Sequence, residues 1–143
     1  MDDKILHRLK VDEDKTDLPD LTDIYNLAYA VIDGLPQQLQ NVTQNLIIRV
    51  ENFTDEQTLQ SLNITDKYDL LGLYRGIPLP LKSLHDNSIL PDIIFLYRGP
   101  LIRFARDNGE SLSRLVYHVV IHEIGHHFGY SDQDVDWLDH LEN

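Results

Sequence analysis

From Asp17 onward the apolar positions Leu21, Ile24, Tyr25, Ala28, Val31, Ile32 and Leu35 recur at intervals of three and four, the spacing that lines one face of an α-helix. The pattern predicts a helix of about five turns, with Pro19 suited to its first turn and an end near Gly34 and Pro36 or slightly past them. LIIRV (Leu46 to Val50) is then an apolar, β-branched run of the kind buried strands use. Residues 51–71 are polar and weakly periodic, which predicts a loop with room for a helical turn. LLGLYRGIPLPL (Leu70 to Leu81) can begin as a strand but must leave the ladder by Pro78, because proline has no amide hydrogen to donate. IIFLYR (Ile93 to Arg98), between Pro91 and Gly99-Pro100, is the clearest second strand. A short helix over about Leu101 to Arg106 and a break at Asn108-Gly109 come next.

A second long helix follows, with Ser111 or Asn108 as its cap. Its apolar face is Leu112, Leu115, Val116, Val119, Val120 and Ile124. No internal repeat or linker interrupts the chain, so the expected architecture is α+β: a small mixed sheet with a long N-terminal helix and a C-terminal helix packed on it. The 143 residues suffice for one such domain, residues 18–143, preceded by a charge-rich arm, residues 1–17.

Composition narrows the function classes. At 42% hydrophobic and 25% charged, the chain reads as globular, and no apolar run approaches the length of a membrane span. The start, MDDKILHRLK, lacks the apolar stretch of a secretion signal, so the expected compartment is the cytoplasm and no membrane partner is expected. A formal net charge of -12 would repel phosphate backbones, which argues against a nucleic-acid partner. Cysteine is absent, so any metal must be held by His, Asp or Glu.

The second long helix carries such residues, in IHEIGHHFGYSD (Ile121 to Asp132). His122 and His126 are four positions apart, about 40° around a helix and one turn along it, so both imidazoles can meet one metal ion. Glu123 is turned about 100° aside, close enough to act on a metal-bound water without being a ligand. Zinc held by neutral imidazoles lowers the pKa of its water towards neutrality, and an adjacent carboxylate can take the proton. A third ligand must come from beyond the helix. Gly129 is a residue at which the chain can turn, and Asp132 is then the natural closing ligand; Asp134, Asp136, His140 and Glu142 are alternatives. Apolar neighbours such as Val119, Val120 and Ile121 weigh against a merely polar helix end, because burying unpaired polar groups is costly. His127 points elsewhere on the helix and reads as a packed or hydrogen-bonded side chain. His118, one turn before His122, reads as supporting or structural.

His122-Glu123-Ile124-Gly125-His126-His127-Phe128-Gly129-Tyr130-Ser131-Asp132 resembles the extended H-E-x-x-H-x-x-G-x-x-D signature of zincin metallopeptidases. More closely, the chain resembles the small bacterial minimal zincins, the matrix-metalloprotease-like zinc metallopeptidases. That likeness takes in LLGLYRGIPL and LPDIIFLYRGPL and spans roughly residues 20 to 135. It implies one Zn2+ per chain on His122, His126 and Asp132, Glu123 as general base, and a peptide or protein substrate. The chain departs from the larger metzincins, which have histidine as the third ligand and a methionine turn, because its only methionine is Met1. The resemblance also suggests an edge strand beside the cleft that pairs with an extended peptide. IIFLYR is the candidate, with an interior strand as the alternative. Tyr130, Tyr97 and Tyr117 are candidate donors to a developing oxyanion. The competing functional class is a non-catalytic binding or regulatory module stabilised by its metal.

Overall fold

A computed structural model of the chain describes residues 18–76 and 91–129. The expected N-terminal arm, the proline-rich end of LLGLYRGIPLPL and all residues after Gly129 lie outside that range. The described chain is α+β. Helices α1 (Leu21–Asp33) and α2 (Gln37–Val42) lead into strand β1 (Leu46–Glu51). Helix α3 (Glu56–Ser61) and a 3-10 turn (Lys67–Asp69) separate β1 from β2 (Gly72–Arg75). Strand β3 (Asp92–Tyr97) runs directly into α4 (Arg98–Asn108), and α5 (Leu112–His127) follows.

The first long helix is shorter than its pattern predicts. Asp20 caps it by accepting from the Asp23 amide at 2.8 Å, while Asp23 accepts from the Asp20 amide at 2.9 Å, a reciprocal box that starts the helix after Pro19. Pro19 therefore precedes the helix. The other end closes at Gly34, and the chain restarts as α2 after Pro36, which offers no amide to continue the ladder. The buried stripe of α1 is Ile24, Leu27 and Ala28, while Leu21 and Tyr25 are exposed. Gly99 and Pro100 do not interrupt the chain after β3 but lie in the first turn of α4, where proline is tolerated. Gly109, at φ +60°, ends α4 in the left-handed region.

Among the described residues the sheet has three strands in the order β1-β3-β2, with β1 parallel and β2 antiparallel to β3. The candidate edge strand IIFLYR is therefore the central one. Five of the six residues of β3 are buried, as a strand paired on both sides and covered by helices requires. β1 and β2 are the edges among the described residues. Registers such as Ile48 opposite Ile94, and Tyr74 opposite Ile94, place alternate residues on one inner face. There Ile48, Ile94 and Leu96 join Ile24 and Ala28 of α1 and Val116, Val120 and Ile124 of α5 in one core. Phe95 and Tyr97 point to the other face, their rings stacked 6.3 Å apart. None of the described helices is long and apolar enough to cross a membrane.

Candidate metal centre

Helix α5 carries the candidate residues His122, Glu123 and His126. Its start is set by Ser111, whose side chain accepts from the Arg114 amide at 3.2 Å. Its path along the sheet depends on Gly72 of β2. A Cβ there would come 2.7 Å from Val119 Cγ1, closer than real carbon contacts allow, so the missing side chain lets the helix lie against the strand. Val119 is one turn before Glu123, and this close approach sets how far the following turns stand from β2.

His122 and His126 lie on the partly exposed side of α5, with ring centroids 4.8 Å apart and planes tilted by 57°. The Glu123 carboxylate is nearly buried and places Oε1 3.4 Å from His126 Nδ1. A carboxylate beside one ring nitrogen favours the hydrogen on that nitrogen, which leaves Nε2 with a lone pair for a ligand. All three residues fall in the last two turns of a 16-residue helix, whose C-terminal end carries partial negative charge and favours a cation. The donor set suits a divalent ion that accepts imidazole nitrogen. It is incomplete, because no group of three metal-ligating side chains comes together among the described residues. Asp132, its alternatives Asp134, Asp136, His140 and Glu142, and Tyr130 all lie outside them.

The helix ends compactly. The Phe128 amide donates to Ile124 and Gly125 carbonyls, each at 3.1 Å, and the Gly129 amide to the His126 carbonyl at 2.9 Å. Gly129 has φ +88°, a conformation open mainly to glycine. The chain leaves the helix immediately after the second imidazole.

Of the tyrosines considered as donors, Tyr97 lies on the sheet face away from α5. Burial holds its phenol above the ordinary range, against a hydrogen bond with Thr54 that pulls it down. Tyr117 is on α5 itself, with its ring edge-on to His118 at 5.5 Å. Among the described residues, the tyrosine from another element that approaches the motif is Tyr74 on the inner face of β2. Its hydroxyl stands 3.0 Å from His127 Nδ1, and Asp92 Oδ2 at the start of β3 stands 3.6 Å from the same nitrogen. His127 and Asp92 are both buried. Neither Tyr74 nor Asp92 announces this role in the sequence, because contacts between strands and a distant helix leave no local spacing to read. The one available signal is an acid heading an apolar central strand.

A search of curated proteins returns no significant match for the chain. The zincin-like metallopeptidase family model, by contrast, matches residues 43–141, a span that leaves out α1 and α2 but takes in the three described strands and the whole histidine-bearing helix. On that match, over most of its length, the chain belongs to the zincin-like metallopeptidase family.

Proposed function

We propose that the chain is a zinc-dependent peptidase in which His122, His126 and Asp132 hold one metal ion and Glu123 is the general base. The observation that carries this is the pairing on α5 of two imidazoles, 4.8 Å apart, with the nearly buried Glu123 carboxylate on the same turns. Bound there, zinc would supply Lewis acidity, making a water acidic and a peptide carbonyl electrophilic. His122 and His126 contribute neutral nitrogens, and an Asp132 carboxylate would leave one coordination position open for the reaction. Glu123 would take the proton of the attacking water and return it to the departing amine, which needs a carboxylate held in one place. Burial in the helix face supplies that restraint.

Strand β2, an antiparallel edge among the described residues, borders α5 and would suit an extended peptide or protein substrate, which would add to the sheet through its own backbone groups. A cytoplasmic location is compatible with the absence of cysteine.

The test is Glu123→Gln. The variant should fold and retain zinc at the wild-type ratio while hydrolysis of a peptide library falls by about three orders of magnitude or more, because the change removes the base and leaves the ligands. Zinc-loaded wild type with no more activity than the variant would instead favour a binding module that keeps its metal without turnover.

A further inference from the structure

Three stretches distant in sequence meet at the end of the histidine-bearing helix, at a point buried at Asp92 and His127 and half-buried at Tyr74. Tyr74 comes from the inner face of β2, Asp92 from the first position of β3 and His127 from the last turn of α5. The Tyr74 hydroxyl is hydrogen-bonded to the Asp92 carboxylate and also lies 3.0 Å from His127 Nδ1. A carboxylate only accepts, so the hydroxyl donates to Asp92, and the His127 ring then donates from Nδ1 to the tyrosine oxygen. Gly76 closes the cluster from above. The nearest atoms to any Cβ there would be those of Asp92, with Cγ at 2.8 Å, so the chain leaving β2 passes directly over the carboxylate and holds it in place.

Replacing buried ionic groups by well-packed apolar residues of similar volume is often neutral or stabilising, so stability alone does not account for three polar side chains in this corner. Polar groups here are explained by what they orient. His127 is the chain neighbour of His126 and lies four residues after Glu123, on the same buried side of the helix. Clamping its ring to two adjacent strands fixes the rotation of the last helical turn about its axis. That rotation sets where the His126 ring and the Glu123 carboxylate point, and from where the chain departs at Gly129.

We infer that the Tyr74–Asp92–His127 cluster is a positioning device that orients the end of α5 for metal binding. The inference rests on the zinc site proposed above. Neither Tyr74 nor Asp92 is a ligand; both act through His127.

Zinc affinity measured by competition with a chelator, on the 143-residue chain well below its melting temperature, tests this. Asp92→Asn keeps the shape and Tyr74→Phe removes one oxygen, and each should weaken zinc binding about threefold or more, a smaller loss than removing a direct partner of a metal ligand causes, because both act one residue further out through His127. The visible spectrum of the cobalt-substituted protein should change with them, reporting altered ligand geometry. Ser111→Ala is the control, since it loosens the opposite end of the same helix and should leave affinity and spectrum as in wild type. Affinity within about twofold of wild type in either folded variant, or an equal loss in Ser111→Ala, overturns the inference while leaving the zinc site standing. Should Asp92→Asn not fold, Tyr74→Phe alone decides. Wild type that binds no zinc overturns the proposed site and the inference together.

Discussion

Burial raises the Tyr74 phenol above its ordinary pKa of 10.0, and the charge and hydrogen bond of Asp92 push the same way. In the unfolded chain that phenol ionises near 10.0, whereas in the folded chain it stays protonated well beyond. A folded-state pKa above the unfolded one gives stability that is complete below the unfolded value and is lost as pH rises past it. Urea unfolding at about pH 8 and about pH 11 should therefore show a loss of stability in wild type that is smaller in Tyr74→Phe. The comparison with the variant is needed because Tyr97 is shifted in the same direction and contributes to both proteins. Equal losses would mean that Tyr74 is not held protonated by its surroundings. At this scale the sequence was legible where candidate residues lie within about one turn of a helix. His122, Glu123 and His126 could be read as a unit because helix geometry alone brings them together. Tyr74 and Asp92 could not, since 53 positions separate Tyr74 from His127 and only the sheet closes that gap.

Among the elements, the junction of β2 and α5 is the most demanding. Gly72 Cα faces Val119, and an added Cβ would also come 3.1 Å from the Phe95 carbonyl oxygen, so neither the helix nor the strand can yield without disturbing the other. Gly72→Leu should destabilise the protein by about 1–3 kcal/mol through overpacking, measured by chemical denaturation. Val119→Ala should recover part of that loss in the double variant, with a coupling of about 0.5 kcal/mol or more. Strictly additive losses would show that the two residues do not meet. Element types followed from periodicity, but limits and neighbours did not. The capping box at Asp20 and Asp23 overrides the earlier start that Pro19 suggests. The stripe of α1 turns out to include Leu27 and omit Tyr25, because the helix faces the core through Ile24 and Ala28. The strand IIFLYR looks alike whether it is an edge or the centre, since a strand's residues do not state how many partners it has. β3 is central because β1 and β2 both pair with it.

For the molecule as a whole, metal binding at the proposed site would be linked to folding. The helix that bears the histidines also supplies much of the core through Val116, Val120, Ile121 and Ile124, so a ligand held there stabilises the fold that positions it. Free zinc at about 100 times its Kd should add about 2.7 kcal/mol, which for a domain of this size is several degrees in Tm. A chelator should remove that increment from wild type and have no effect on a His122→Ala/His126→Ala double variant. A chelator effect of the same size in both would place the stabilising ion elsewhere.

By itself the sequence determined the α+β character of the chain, the helix that carries the signature and the residues of that signature, since each depends on spacings within a few turns of one segment. Tertiary structure alone decided that β3 is the middle of the sheet, that β2 borders the histidine-bearing helix through Gly72, and that Tyr74 and Asp92 close on His127. The reason is physical: periodicity records which side of an element avoids water, while the partner that covers that side is chosen by packing among segments far apart in the chain.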